Sequence, residues 1–236
     1  MPYCPNCGTQ VEEKYDVCPI CGERLKGPER QVGGDRPRVS TIDHLSKGFN
    51  IATAKPLVFA PIVLGGVISI VIDGMWGNPF DPISPSPLLL FPALMSLLGV
   101  VVTFLLNFAS IDMLRDAYMD EPLDLMQSIN YVVGRIGTFF IAAIVGALMS
   151  LTIILTPVAI FMFVIIVMDE TGIGDAVSKA FWVLRVELGD IVLLLIISLV
   201  GFAVLSWVPF VGGLLNAFFG VVVDIAFIDV YYLTKN

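Results

Sequence analysis

Apolar residues dominate the chain from about residue 57 onward, and short polar breaks divide them into six runs. A helix needs about 20 mostly apolar residues to cross a bilayer, and most of the runs approach that length. They cover residues 57–72, 88–111, 136–155, 157–168, 191–207 and 211–233. The pattern therefore predicts an all-α polytopic membrane domain over residues 43–236, with about six transmembrane helices.

The apolar stretch 136–168 is too long for one comfortable crossing and short for two, so the charges around it decide the topology. With six crossings, all 13 Lys and Arg residues fall on the side of the N-terminus. A single crossing at this stretch would move Lys179 and Arg185 to the opposite side, against the excess of basic residues expected in cytoplasmic segments. We therefore expect six spans in the cell membrane, with both termini cytoplasmic.

Three short amphipathic stretches, which we call elbow helices, precede spans and can be aligned with one another. They are residues 43–49, 124–130 and 175–181, and the first and third share Asp, Ser, Lys and Phe at matching positions. In the first, Leu45, Phe49 and Ala52 at helical spacing predict one apolar face. We expect the elbow helices to lie in the inner interface of the membrane.

The polar residues of the elbow helices have expected roles at that interface. Lys47 and Lys179 are expected to reach toward lipid headgroups. His44, the only histidine, is expected to be solvated on the polar side of its helix. A single histidine excludes His-x-x-x-His metal sites and serine triads that use histidine.

The spans that follow the three elbow helices also resemble one another in sequence near their ends. Asp112, Asp169 and Asp229 fall at matching positions near the end of a span. The chain is therefore predicted to contain three repeats, each an elbow helix plus a hairpin of two spans. Because each unit crosses twice, all three repeats enter the membrane from the same side, unlike the inverted repeats of many transporters.

Composition agrees with lipid as the solvent of this domain. The chain is 57% hydrophobic and 14% charged, with a mean hydropathy of +0.89, and the surface of a water-soluble domain must be largely polar. The net charge of −8 argues against nucleic acid as a partner.

The four cysteines lie ahead of the membrane domain, in two copies of a Cys-x-x-Cys-Gly motif. They are Cys4, Cys7, Cys18 and Cys21. The residues between the pairs suffice for one short hairpin, so four thiolates can meet around one ion. Structural Zn²⁺ is expected, because four thiolates leave no open position for substrate. Iron in the same site is the chemical alternative, and disulfides or a redox dithiol are the other interpretations.

Residues 3–25, which carry both motifs, resemble the short zinc-ribbon module attached to many prokaryotic proteins. The resemblance implies a structural or docking part of the β-hairpin type. We therefore expect a zinc ribbon over residues 1–26 and a flexible linker over residues 27–42.

The membrane domain resembles a large set of uncharacterised prokaryotic integral membrane proteins, related to the membrane domain found beside some glycerophosphodiester phosphodiesterases. The matching segments are residues 175–185, the apolar hairpin after them and residues 230–233. The resemblance implies a six-helix domain of unknown activity. Nothing in the chain matches the soluble catalytic domain of those phosphodiesterases, so we expect a protein without enzymatic activity.

One carboxylate falls deep inside a span. Asp224 precedes residue 233 by about nine residues, which at 1.5 Å per residue puts it roughly 13 Å from the inner surface. Asn107 is its equivalent in the first repeat, and Asn216 lies one or two turns deeper in the last span. A buried intramembrane charge usually faces the bundle interior. The favoured interpretation is a neutral Asp224 that hydrogen-bonds helices together, because no second acidic residue lies at that depth. A polar site of Asp224, Asn107 and Asn216 that responds to protons or cations is the alternative hypothesis.

Two functions are compatible with these features. The first is a non-enzymatic membrane scaffold or adaptor whose cytoplasmic ribbon docks a protein partner. The alternative is a transporter, channel or lipid-handling protein that uses the polar site around Asp224 and Asn107.

Overall fold

The computed structural model describes residues 39–76, 90–209 and 211–235. The chain divides into two units, Met1–Val39 and Ser40–Asn236. The predicted zinc ribbon and most of the predicted linker lie outside the described residues.

Helices are the regular elements of the described part of Ser40–Asn236. The α-helices are α1 (Thr41–Ala54), α2 (Ala60–Trp76), α3 (Leu90–Met119), α4 (Leu125–Gly134), α5 (Ile136–Ser150), α6 (Thr156–Met168), α7 (Ile173–Val186), α8 (Leu188–Ser206) and α9 (Gly212–Lys235). Short 3₁₀ turns at Pro56–Phe59 and Ile153–Leu155 precede α2 and α6.

Three of these helices contain a segment long and apolar enough to cross a bilayer by itself. The segments are Leu97–Met119 in α3, Leu188–Ser206 in α8 and Gly212–Lys235 in α9. The pairs α1 with α2 and α4 with α5 meet the same criterion only together, across bends of 94° and 80°. By length and composition, the described helices provide three to five spans, and α6 is a shorter apolar helix.

The elbow helices correspond to α1, α4 and α7, and polar caps explain where two of them begin. Ser40 and Asp43 form a reciprocal capping box at the start of α1. The carboxylate of Asp124 accepts hydrogen bonds from the backbone of Met126 and Gln127 at the start of α4. The sharp bends after α1 and α4 set each of these two elbow helices nearly perpendicular to the apolar helix that comes after it.

The core lies between three inner helices, α3, α6 and α9, which all contact one another. Each inner helix pairs with the helix before it, α3 with α2, α6 with α5 and α9 with α8. Glycine permits close approach within two of these hairpins, since a Cβ on Gly146 or Gly201 would lie 2.4 Å from a ring atom of Phe163 or Phe219. The inner helices therefore carry most of the buried apolar surface.

Each elbow helix packs on an inner helix of another hairpin: α4 on α3, α7 on α6, and α1 on α9. The α1 contact is close, because a Cβ on Gly48 would lie 2.4 Å from the carbonyl oxygen of Val222. The buried face of α1 carries small and polar residues, including His44 and Gly48. The apolar face predicted for α1 contributes to this packing through Ala52, which is buried, and Leu45, which packs against the core, whereas Phe49 contacts the ring of Phe218 but stays 51% exposed.

Candidate functional site

The C-terminal ends of α3, α6 and α9 meet at one end of the bundle, and each end carries one of the three aspartates predicted to be equivalent. Tyr118 of α3 contacts the ring of Tyr232 in α9. The guanidinium of Arg115 in α3 donates to the carbonyl of Val167 in α6, at 3.2 Å. We call the contacts of each aspartate with the neighbouring elbow helix a joint.

The first joint fixes α1 to α9 through Asp229, which is 2% exposed. Its carboxylate accepts hydrogen bonds from the Lys47 ammonium at 2.7 Å and the Tyr118 hydroxyl at 2.5 Å. Nδ1 of His44 lies 2.6 Å from the other carboxylate oxygen, and because an ionised carboxylate can only accept, the ring nitrogen is the donor. Three donors compensate for removing this carboxylate from water.

This joint corrects two expectations drawn from the sequence. His44 is only 5% exposed, because it shares with Lys47 the side of α1 that faces α9. Lys47 is half exposed, yet its ammonium group binds Asp229 and contacts the ring of Tyr118 instead of extending freely toward headgroups. A polar face that looked solvated in the sequence is a packing face.

The second joint fixes α7 and α9 to the end of α6 through Asp169. Its carboxylate accepts hydrogen bonds from the ammonium of Lys179 in α7, from the hydroxyl of Tyr231 at 2.7 Å and from the ammonium of Lys235 at 2.8 Å. Burial raises the pKa of this carboxyl, but these hydrogen bonds lower it more, so the pKa of Asp169 lies below its ordinary value. Lys179 too was expected at the headgroups and binds a carboxylate instead.

The third joint, between α3 and α4, is built differently. Asp112 is 1% exposed and lies beside Ser128 of α4. The Arg115 guanidinium lies 3.0 Å from Oδ1 of Asp112 and donates to Asp116 at 2.8 Å. Ser128 holds the position in α4 that lysine holds in the other two elbow helices, so this joint lacks an ammonium group.

The three joints connect the helices in a cycle. The inner helix of each hairpin binds the next elbow helix along the chain, and α9 binds α1. Charge-assisted hydrogen bonds in a site shielded from water are strong and directional. Chemically, this arrangement holds helix ends together, because the carboxylates at two of the joints are already saturated by donors.

Several residues of this site were not predicted from the sequence, including Tyr118, Tyr231, Arg115, Asp116 and Lys235. Tyr118 and Asp229 are 111 positions apart, so no local spacing could relate them. The matching positions of the three aspartates were the one signal available, and it located the correct ends of the helices.

The three predicted intramembrane residues lie in different surroundings. Asp224 is half-buried and makes no hydrogen bond or ion pair with a described residue. Asn107 is exposed on α3, and the amide of Asn216 donates to the hydroxyl of Ser206 at 2.9 Å. No hydrogen bond joins these three residues in the part of the chain that the structure covers. A shared polar site therefore stays a prediction.

The predicted metal ligands, Cys4, Cys7, Cys18 and Cys21, lie outside the described residues. Residues 3–25 match the zinc-ribbon domain family. Two Cys-x-x-Cys pairs supply the four thiolates that a structural Zn²⁺ requires, so the match supports zinc binding and gives no support to iron. Within the described ranges, no group of three or more His, Cys, Asp or Glu side chains could hold a metal ion.

No curated protein and no solved structure matches the chain. The resemblance of residues 43–233 to the domain found beside glycerophosphodiester phosphodiesterases therefore stays a prediction.

Proposed function

We propose that the protein is a membrane-embedded scaffold whose zinc ribbon docks a protein partner at the cytoplasmic surface. The observation that carries this proposal is the saturation of Asp169 and Asp229 by donors from neighbouring helices. Groups used in this way hold a rigid platform together and are not free for proton transfer or nucleophilic attack. We accordingly propose no enzymatic activity.

The platform is proposed to cross the membrane six times, in three like units. All three inner helices end at the same end of the bundle, which is the geometry expected if each unit enters and leaves on one side. The short α6 contacts α3 and α9 along with its own hairpin partner α5, and this supports counting it as a crossing. The basic residues of the joints then lie on the cytoplasmic side.

Docking is assigned to the zinc ribbon because its metal site has no open coordination position at which a substrate could bind. Four thiolates fill the coordination of zinc, so the metal serves to fold a small module. A folded module on a linker can engage a soluble or membrane partner while the helical domain anchors the complex in the bilayer.

Affinity purification in mild detergent tests this function. The full chain is compared with a Cys4→Ser, Cys7→Ser double variant and with a Thr9→Ser control that keeps all four thiolates. The proposal expects a partner that copurifies with the wild type and the control and is lost from the double variant. Equal recovery of every partner with the double variant would contradict docking through the ribbon.

A second function is favoured by one observation, the absence of any hydrogen bond or ion pair between Asp224 and the described residues. An unpaired carboxylate within a span is costly and usually marks a pathway. A pathway for protons or cations through the bundle would explain it. In reconstituted vesicles, loss of ion flux in Asp224→Asn but not in Asn216→Asp would support this second function, and absence of flux in the wild type would remove it.

A further inference from the structure

The hairpin formed by α5 and α6 is shorter than the helices it packs against. α5 has 15 residues and α6 has 13, which at 1.5 Å per residue gives lengths of about 22 Å and 20 Å. The spanning segments in α3 and α9 have 23 and 24 residues. Since the hydrocarbon core of a bilayer is about 30 Å thick, this hairpin falls short of it by about 8–10 Å.

The joints fix the level of one end of this hairpin. Asp169, directly after α6, accepts hydrogen bonds from Tyr231 and Lys235 of α9, so the C-terminal ends of α6 and α9 lie at one level. Arg135, directly before α5, donates to two backbone carbonyls of the turn after α6. The start of α5 is therefore held at the same level, and the hairpin cannot shift along the bundle to reach further.

The whole shortfall consequently lies at the opposite end. Counted from the level of the second joint, α6 extends about 20 Å from Asp169 to Thr156, whereas α9 extends about 28 Å from Tyr231 to Gly212. The turn between α5 and α6 thus ends about 9 Å below the beginning of α9.

The turn itself is suited to contact with lipid. Leu151 and Ile154 are each 81% exposed. The amide and the hydroxyl of Thr152 both donate to the carbonyl of Met149 at 3.1 Å, and the hydroxyl of Thr156 donates to the carbonyl of Thr152. A turn whose polar groups are paired internally can lie against hydrocarbon. Residues 149–157 include no Lys or Arg, so no charged side chain there can reach up to a distant headgroup.

We propose that the bilayer is thinned locally around the turn between α5 and α6, where the outer headgroups are drawn inward by about 8–10 Å. This inference rests on the proposed six crossings. A span shorter than the hydrocarbon core commonly thins the bilayer around it, and tilting would only reduce the reach of this hairpin. Phospholipid with short acyl chains is the partner that this surface fits.

Spin labels on two exposed leucines of the full chain test the thinning. The variants are Leu151→Cys in the turn and Leu214→Cys in the first turn of α9. Serine replaces the four native cysteines, which belong to the separate unit Met1–Val39. In dioleoylphosphatidylcholine vesicles, the depth of each nitroxide is measured from its collisions with oxygen and with a water-soluble nickel chelate.

The two positions give opposite results with and without thinning. Leu214 lies about 26 Å from the level of the second joint and Leu151 about 22 Å. In a bilayer of uniform thickness, the label at position 151 would be the deeper one by about 4 Å. With thinning, it is expected to be the shallower one by about 5 Å and to collide more often with the nickel chelate.

A thicker bilayer provides the second measurement. In dierucoylphosphatidylcholine, the label at position 214 is expected to move deeper, while the label at position 151 keeps its depth because the bilayer adapts to the hairpin. A label at Glu121→Cys, exposed near the joints, is the control and should stay accessible to the nickel chelate in both lipids.

Three results would overturn the proposal. They are a label at position 151 that is deeper than the one at position 214, a label at position 151 that moves with lipid thickness as much as the one at 214, and a shielded label at position 121. None of these measurements involves the zinc ribbon, so their failure would leave docking standing, and loss of docking would leave the thinning standing.

Discussion

The ammonium of Lys47 in α1 donates to the carboxylate of Asp229 in α9 at 2.7 Å, although 182 positions separate the two residues. This contact joins the beginning of the helical domain to its end and closes the cycle of joints. Because α1 also lies against the backbone of α9 at Gly48, the domain is held as one unit by its first and last helices.

Removing the ammonium by Lys47→Met is expected to destabilise the domain by about 1.5–3 kcal/mol, since a hydrogen bond to a buried charge is lost. Thermal unfolding in detergent measures the effect. Arg185→Met is the control, because Arg185 is exposed and makes no ion pair or hydrogen bond with a described residue, and such surface changes stay within about 0.5 kcal/mol. Equal losses in the two variants would argue against a special role for the α1–α9 joint.

Gly48→Ala is expected to push α1 away from α9, because the new methyl group would meet the carbonyl of Val222 at 2.4 Å. Overpacking of this kind costs about 1–3 kcal/mol. Gly66→Ala, at a helical position with open space around it, should be neutral or slightly stabilising. Comparison of the two Tm values checks the packing, and a neutral Gly48→Ala would contradict it.

The joint at Asp169 predicts a specific dependence on pH. A carboxyl whose pKa is lower in the folded state gives stability that is complete above the unfolded-state pKa, about 3.9, and is lost as the pH falls through the folded-state pKa. The difference in unfolding free energy between wild type and Asp169→Asn should therefore stay constant from about pH 8 to pH 5 and shrink only below about pH 4. A difference that vanishes between pH 8 and pH 6 would show that the joint depends on another group.

Zinc analysis tests the ribbon independently of any partner. About one zinc per chain is expected in the wild type, and none in the Cys4→Ser, Cys7→Ser variant, since two thiolates cannot complete a tetrahedral site. The unfolding of the helical unit should not change, because Met1–Val39 and Ser40–Asn236 are separate units. Zinc retained by the double variant would contradict the assigned ligands.

Hydrophobic runs were sufficient to predict the apolar helices, and short amphipathic stretches were sufficient to predict the elbow helices, because both signals are local. The ends of α3, α6 and α9 that meet at one end of the bundle were also indicated by the matching positions of Asp112, Asp169 and Asp229. The environment of His44 was predicted wrongly, because a lone histidine among polar neighbours resembles a solvated residue. His44 is buried through its tertiary contact with Asp229. A contact between residues so far apart in the chain leaves no local sequence pattern from which it could be predicted.

Labelling of single engineered cysteines in intact cells tests the six-span scaffold most directly. Thr152→Cys lies in the exposed turn before α6 and Glu170→Cys in the exposed turn after it, while the native cysteines would be shielded inside the cell. A membrane-impermeant maleimide is expected to label Thr152→Cys in intact cells and Glu170→Cys only after permeabilisation. Labelling of Glu170→Cys from outside, or equal shielding of both positions, would contradict the crossing of α6 and the cytoplasmic placement of the joints.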